Sequence, residues 1–303
     1  MGVKRRAAAA LTVVLLSSLV AASQAKDTID CAAGLELTLS TIEPPQGAIV
    51  LLEVRSEFPA EVNATWADQS LYFWREGDSH LALLGVDLRR NASQVPLTVE
   101  TRRSNGQKIG CSTPVTIRDG DFTVQTITVE KKFVDLSAED LARSRRETNQ
   151  LLGIFRAATA ARLWEGSFQL PVKGVTGSGS FGKRRVVNDQ PRSPHSGEDF
   201  PAPSGTPVRA PQRGRVVMAS DLFFSGNTIV LDHGLGLYTF YGHLESTAVK
   251  NGQVVQAGEI IGRVGATGRV TGPHLHWAAR LNKARVNPLD LVTIVPTAKP
   301  PTE

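Results

Sequence analysis

Alternating apolar and polar positions dominate residues 26–130 of this chain, which predicts short β-strands joined by tight turns. The stretch Leu97–Thr101 is followed by Asn105-Gly106 and by a second apolar stretch that leads to Cys111. This order is typical of a β-hairpin. A second hairpin is predicted from Val115–Ile117, Asp119-Gly120 and Phe122–Val124. The pattern resembles that of a small β-sandwich.

The period changes between residues 131 and 166, where helix-forming residues replace the alternation. Ser137 precedes Ala138-Glu139-Asp140, which is an N-terminal capping signature. We predict one linker helix here, with Gly153 as a point where it could break. Its apolar positions are expected to pack on a neighbouring element. They are Leu141, Leu151, Leu152 and Phe155.

Glycine-rich strands and turns return after the helix, since 18 of the 27 glycines fall between Gly166 and the C-terminus. Thr228–Asp232, the Gly234-Leu235-Gly236 turn and Leu237–Tyr241 predict a hairpin. The predicted fold class is therefore mainly β: an N-terminal sandwich-like domain, a linker helix and a C-terminal antiparallel domain. The predicted boundaries are 1–25 for a leader, 26–130, 131–166, 167–295 and a flexible tail at 296–303.

The leader has the pattern of a secretory signal peptide. Lys4, Arg5 and Arg6 precede the apolar run Ala7–Val20, and small residues follow up to Ala25. A membrane anchor is the alternative, but the run is shorter than the roughly 20 residues that span a bilayer. We expect an exported protein with no membrane association after cleavage. The periplasm is the favoured compartment, with the cell wall or extracellular space as alternatives.

Export changes the meaning of the two cysteines, Cys31 and Cys111, because disulfides persist in oxidising compartments. We expect one disulfide between them, and two buried thiols that never meet is the alternative.

Net charge separates the two halves. Residues 26–165 carry 16 basic and 20 acidic residues, whereas residues 166–303 carry 15 and 9. A basic second half could bind an anionic polymer, or the acidic first half by intramolecular docking of the N-terminal domain, or both. A nucleic-acid partner is not expected, because the excess of positive charge is mild and the protein is exported.

Histidines concentrate in the second half, where five of the six lie between residues 195 and 276. His195 and Asp199 are four apart in a stretch whose Gly197 and Pro201 disfavour a helix. In a strand, His274 and His276 would point to the same face. Taken alone, a histidine in either of these two segments is more often an ordinary surface or core residue than a metal ligand. Together, two histidines and a carboxylate form a ligand set used by catalytic zinc.

Several segments resemble the lysostaphin-type, LytM-like zinc metalloendopeptidases that cut peptidoglycan. They follow the family's order over roughly residues 170–292. The matching segments are Phe181–Arg185, Asn188, His195–Val208, Gly226–Thr228, Asp232–Gly234, Tyr241–Leu244 and Thr271–His276.

This resemblance implies one Zn²⁺ per chain, held by His195, Asp199 and His276, with catalytic roles for His243 and His274. It also implies an open groove over an antiparallel sheet of the lysostaphin/LytM type, with Arg185 and Asn188 as substrate contacts. His233 matches a family position that we expect to be structural, and His80 lies outside the match and is expected at the surface.

The function predicted from the sequence is hydrolysis of amide bonds in the peptide part of bacterial peptidoglycan, by metal-activated water with two assisting histidines. A non-catalytic cell-wall-binding regulator or amidase activator of the same fold is the alternative. The complete ligand set favours the enzyme, since such regulators typically lose ligands. A β-domain binding protein with incidental histidines is a third hypothesis. Measuring the metal content of the protein would distinguish it from the other two.

Overall fold

A computed structural model describes residues 26–31, 34–56, 61–102, 105–130 and 135–294. The predicted signal peptide and the predicted tail lie outside the described residues. The strands before the first helix are β1 (Asp27–Cys31), β2 (Leu35–Leu39), β3 (Ile49–Ser56), β4 (Val62–Trp66), β5 (Gln69–Ser70), β6 (Phe73–Glu76), β7 (Ser79–Gly85), β8 (Ser93–Arg102), β9 (Lys108–Ile117) and β10 (Val124–Ile127).

The helix α1 (Ala138–Arg156) separates these strands from the second set. The second set is β11 (Arg184–Val187), β12 (Gln190–Pro191), β13 (Glu198–Pro201), β14 (Pro207–Arg209), β15 (Gly214–Leu222), β16 (Gly226–Gly234), β17 (Leu237–Thr247), β18 (Val254–Val255), β19 (Ile260–Val264), β20 (His274–Leu281) and β21 (Ala284–Val286), followed by α2 (Asp290–Ile294). The mainly β fold class is confirmed.

The first half contains a five-stranded sheet in the order β1-β2-β3-β7-β6 and a four-stranded sheet in the order β5-β4-β8-β9. Their alternating apolar residues meet in one core, which includes Leu37, Val54 and Leu97. A disulfide joins Cys31 on β1 to Cys111 on β9 and so links the two sheets.

The first predicted hairpin is confirmed, because β8 and β9 pair antiparallel along their whole length. The second is wrong: Val115–Ile117 ends β9, whereas Val124 begins β10 and pairs parallel with Arg184 of β11. Between them the chain leaves the sheet. Asp121 has a φ of 49°, and the Phe122 ring packs edge-on against Phe181, with 6.1 Å between ring centroids.

The capping prediction for α1 is confirmed, since the Ser137 side chain accepts a hydrogen bond from the Asp140 backbone N–H. Gly153 does not interrupt the helix, which continues to Arg156. Phe155 and Leu151 pack against a cluster that includes Tyr238, as predicted. Leu141 and Leu152 do not pack in this way, because both are exposed.

The second half is built on a nine-stranded sheet with the path β13-β20-β17-β16-β15-β18, to which β14, β19 and β21 attach. The predicted hairpin is confirmed as β16 and β17. Gly234, Leu235 and Gly236 form its turn, all with positive φ. Phe200, Leu275 and Trp277 point from β13 and β20 into the core of this half.

The two halves share an apolar cluster. Ile49, Leu51 and Trp74 of the first half pack with residues such as Trp164, Leu237 and Leu281. An ion pair between Asp87 and Arg285 and the parallel pairing of β10 with β11 add polar contacts. The contact therefore rests largely on apolar burial rather than on the opposite net charges. The domain boundaries at residues 130, 166 and 295 stay predictions.

Within the described residues, no helix is long and apolar enough to cross a membrane.

Candidate metal centre and active site

Side chains from β13, β20 and the loop before β13 converge on one point. Asp199 lies opposite His276 in the antiparallel β13–β20 pair. His276 Nδ1 is 3.0 Å from Asp199 Oδ1, and His195 Nε2 is 3.2 Å from the same oxygen. The two ring nitrogens are 2.9 Å apart. These three residues can each offer one ligand atom to a shared metal ion.

The strand register explains why the side chains meet. Phe200 and Leu275 are paired neighbours of Asp199 and His276, and both are fully buried in the core. Because successive strand residues point to opposite faces, Asp199 and His276 project from the other face of the sheet. His274 is two residues from His276 and lies on that same face, as the sequence predicted.

The geometry fits a tetrahedral metal ion. Ligand atoms about 2.0 to 2.1 Å from such an ion lie roughly 3.3 Å apart, which is close to the separations above. His195 Nδ1 donates a hydrogen bond to the Ser180 carbonyl at 3.0 Å, so its Nε2 keeps the lone pair that a metal needs. Gly197 leaves room for the other imidazole, because a Cβ there would lie 2.7 Å from His276 Nε2.

The second pair of histidines flanks the ligand candidates. The His243 and His274 ring centroids are 4.9 Å apart, and His274 Nε2 is 3.8 Å from Asp199 Oδ1. His274 Nδ1 donates to the Gly272 carbonyl at 2.9 Å, and His243 Nδ1 donates to the Thr267 carbonyl at 2.9 Å. Each Nδ1 is thus occupied by a carbonyl, which leaves each Nε2 for proton exchange.

His243 reaches this position through an irregularity in the sheet. The register between β16 and β17 shifts where Asn227 pairs with Leu244 but Ile229 pairs with Tyr241. His243 lies in the resulting bulge with a φ of 63°, and its backbone N–H donates to the Ser225 carbonyl at 2.7 Å. Backbone strain of this kind is often concentrated at functional sites.

A family model for peptidase family M23 matches residues 193–288. The DD-carboxypeptidase/endopeptidase Mpg of Neisseria meningitidis serogroup B is 43% identical over 102 residues, which are 34% of this chain and 24% of that protein. The peptidoglycan DD-endopeptidase ShyA of Vibrio cholerae is 44% identical over 111 residues, 36% of this chain and 26% of that protein. The match thus spans about a quarter of the length of these relatives.

A crystal structure described as an M23 peptidase from Pseudomonas aeruginosa is 30% identical to this chain, with a TM-score of 0.63. The similarity covers 82% of this chain and 95% of that one, so it extends beyond the second half. The chain belongs to peptidase family M23. The resemblance drawn from the sequence motifs is confirmed, and the region matched by the M23 model contains His195, Asp199, His243, His274 and His276.

Electrostatics in the M23 site favour the protonation states that metal binding requires. Burial alone would raise the pKa of the Asp199 carboxyl, but the neighbouring imidazoles of His195 and His276 outweigh burial and hold that pKa well below its ordinary value. Burial lowers the pKa of His276 to about 4. Burial and the neighbouring His276 and His274 lower the pKa of His243 to about 3. Asp199 is therefore ionised, and His276 and His243 are neutral, at pH 7.

The two residues predicted to contact substrate lie outside the region that the M23 model matches, and in the structure both bind other residues of the chain. Arg185 Nη2 lies 3.3 Å from Asp199 Oδ2, so this arginine contacts a ligand candidate. Asn188 binds the backbone of the first half: its Oδ1 accepts from the Val129 N–H and its Nδ2 donates to the Val129 carbonyl, both at 3.0 Å. Their contact with substrate stays a prediction.

Both halves of the M23 chain line the groove over these histidines, which has a volume of about 510 Å³. Gln125, Ile127, Val129 and Leu136 contribute from the first half.

Residues that the sequence did not single out support the site. Glu198 is buried, and its carboxylate accepts hydrogen bonds from the backbone N–H groups of Ser180 and Phe181, at 3.1 Å each. Ser180 in turn accepts from the Asp199 N–H through Oγ and from His195 through its carbonyl. Glu198 lies within the matching segment His195–Val208, but the sequence assigned it no role, and no motif includes Ser180. Their roles depend on contacts between segments that are distant in sequence.

The remaining histidines take no part in the site. His233 is fully buried, as a structural residue should be, and its Nδ1 donates to the Arg213 carbonyl at 2.8 Å. The prediction of a surface position for His80 is wrong. It lies in β7, only 8% of it is exposed, and burial lowers its pKa.

Proposed function

We propose that this protein is an exported zinc-dependent endopeptidase that hydrolyses amide bonds in the peptide part of peptidoglycan. Membership of the M23 metallopeptidases and the two relatives named as acting on peptides or peptidoglycan support this proposal. The observation that carries it is the convergence of His195, Asp199 and His276 beside the imidazoles of His243 and His274.

Zinc is the ion that best suits the donor set. Two imidazoles and one carboxylate leave a fourth tetrahedral position open, as in catalytic zinc sites, whereas structural zinc sites close all four. Magnesium and calcium prefer several oxygen ligands, which these residues do not supply. We expect one zinc ion per chain. When bound, such an ion supplies Lewis acidity, which lowers the pKa of water toward neutrality and polarises a carbonyl group.

The chain's own residues have distinct parts in the proposed reaction. The groove holds the peptide against the sheet, and Arg185 holds Asp199 through the oxygen that does not face the imidazoles. His243 and His274 divide two tasks between their Nε2 atoms. A neutral ring accepts the proton of the attacking water at Nε2, and a ring that carries a proton on both nitrogens donates a hydrogen bond from Nε2 to the oxyanion that forms at the carbonyl. The neutral state of His243 at pH 7 suits the first task.

Export to the periplasm is part of the proposal. It is supported by the signal-peptide pattern before residue 26 and by the disulfide between Cys31 and Cys111, which suits an oxidising compartment. ShyA is named for its action on peptidoglycan, and an exported protein would meet peptidoglycan in the periplasm.

Digestion of purified cell-wall sacculi by residues 26–303 tests the function. We expect new amino and carboxyl ends in the released peptides, identified by mass spectrometry, with the glycan strands uncut. Asp199→Asn is the matched control, since it keeps the shape of the side chain and removes its charge. Absence of peptide cleavage by metal-loaded protein would contradict the proposal and favour the wall-binding regulator.

A further inference from the structure

Three arginines lie around the groove. Arg185, Arg192 and Arg269 all line it, and Asp199 is the single carboxylate among the described residues that do so. Asp199 is a candidate metal ligand, so a bound metal cation would neutralise its negative charge. The groove therefore carries an excess of positive charge that its own side chains do not neutralise.

Arg269 is the clearest part of this excess. Its guanidinium lies 4.5 Å from the centre of the Phe224 ring, and its backbone N–H donates to the Phe224 carbonyl. Among the described residues, no carboxylate forms an ion pair with Arg269. Burial lowers the pKa of Arg269, and the positive charges of Arg185 and Arg192 lower it further. Two further cations thus act on Arg269 in the groove, and both disfavour its positive charge.

A second observation concerns hydrogen bonds. Arg185 uses Nη2 for Asp199, but its Nε is buried and has no hydrogen-bond partner among the described residues. Gln125, its register partner on β10, likewise has a buried Oε1 without a partner there. Both residues line the groove, and buried polar atoms left without partners are costly, so the described residues do not fully satisfy the polar groups of this groove wall.

We propose that Arg192 and Arg269 form a carboxylate-binding subsite, which selects peptides that carry a free carboxylate next to the scissile amide. This inference rests on the proposed function and names the chemistry of its substrate. Arg269 is half-buried, whereas Arg192 is exposed and donates one hydrogen bond from Nη2 to Gln190 Oε1 at 2.6 Å, which leaves its other N–H groups for a ligand. Guanidinium groups bind carboxylates through charge-assisted hydrogen bonds, often two at once. Peptidoglycan stem peptides supply such groups on D-glutamate and diaminopimelate, and some cell walls convert them to amides.

The test compares two cross-linked muropeptide dimers, one with free carboxylates on D-glutamate and diaminopimelate and one with the same groups amidated. The wild-type protein should show a kcat/KM roughly ten- to a hundredfold higher for the free acid, the range expected of hydrogen bonds to charged groups. Arg269→Gln and Arg192→Gln should each reduce this preference strongly, and Arg269→Lys should keep part of it. Arg215→Gln removes an exposed arginine outside the groove and should keep the preference intact.

A binding measurement separates this inference from the proposed function. Calorimetry with the corresponding uncrosslinked tetrapeptides needs no hydrolysis, and the free acid should bind at least about tenfold more tightly. Equal binding and equal cleavage of the two forms would overturn the subsite while leaving the endopeptidase in place. Preferential binding of the free acid without any cleavage would overturn the endopeptidase and keep the subsite. A preference that survives in both Arg192→Gln and Arg269→Gln would also overturn it.

Discussion

Asp199 and His276 face each other across the β13–β20 ladder, with His276 Nδ1 3.0 Å from Asp199 Oδ1. These residues are 77 positions apart in the chain. A pair of backbone strands thus holds a carboxylate and an imidazole at about the separation that a tetrahedral metal ion requires.

The first prediction follows from this pairing. Asp199→Asn and His195→Ala should each lose the bound metal, because either change leaves two of three protein ligands. Loss of even an outer-shell partner costs about 10- to 100-fold in metal affinity, and loss of a ligand should cost more. Elemental analysis after dialysis measures the effect, with His274→Ala as a control that keeps the metal. Full metal occupancy in both ligand variants would refute the assignment.

The second prediction concerns the flanking histidines. His274→Ala and His243→Asn should keep the metal and lower kcat by about 10² to 10⁴, the usual contribution of a placed proton-transfer group. Asparagine is chosen for position 243 because it tolerates the positive φ found there. The assay follows release of peptide amides from cross-linked muropeptides. Near wild-type turnover in either variant would remove that residue from the reaction.

The third prediction concerns latency, since the first half lines the groove through β10 and the segment that follows it. We expect this segment to crowd the groove, with the two Asn188–Val129 hydrogen bonds holding it down. Asn188→Gly removes both bonds while suiting the φ of 47°, and should raise the rate on soluble muropeptides several-fold. Asn282→Gly, at a φ of 46° in a distant turn, is the matched control.

A fall in rate for Asn188→Gly would instead make this residue a substrate contact, as the family resemblance implied, and an unchanged rate would also contradict latency. A point variant is preferred to truncation before Gly166. Truncation would expose the apolar surface around Phe168, Leu237 and Leu281, which the first half covers.

The fourth prediction concerns stability against pH. Burial lowers the pKa of His233 to about 4, from 6.5 in an unfolded chain. Between these values the unfolded chain binds a proton that the folded protein does not, so stability is fully present above about pH 6.5 and falls as the pH decreases. The resulting loss in the free energy of unfolding is roughly 3 kcal/mol by pH 4.

The physical origin is burial, because a charged imidazole away from solvent is costly. In the neutral ring His233 Nδ1 donates to the Arg213 carbonyl and Nε2 accepts from the Thr239 hydroxyl at 2.7 Å, and a proton on Nε2 would require that hydroxyl to reorient and accept instead. Denaturant unfolding of wild type and His233→Gln at pH 7 and pH 4.5 measures the difference. The variant should lose less stability between the two values than wild type does. Equal losses would show that His233 does not titrate in this range.

Local sequence determined much of the architecture. Alternation of apolar residues located β8 and β9, the capping signature located the start of α1, and Gly234-Leu235-Gly236 located the β16–β17 turn. These features depend on backbone preferences within a few residues, which a single sequence displays. The spacing of His274 and His276 also determined that both lie on one strand face.

Contacts between distant segments were decided only by the tertiary structure. Phe122 and Val124 were expected to return along β9, but β10 pairs with β11 of the other half. The turn residues Asp119 and Gly120 could not reveal this pairing, since the packing of Phe122 against Phe181 depends on a segment about 60 residues away. His80 was misplaced for a similar reason, because only the packing of the sheets shows that it is buried.

The chemistry of the site divides in the same way. The sequence by itself determined which residue types could hold a metal, because imidazole and carboxylate are recognisable wherever they occur. The tertiary structure decided which atoms meet and that Glu198 and Ser180 hold the segment that orients His195. It also decided that Arg269 lies in the groove with no acidic partner among the described residues. Burial and distance set hydrogen bonds and pKa values, and both are properties of the packed chain that no local pattern records.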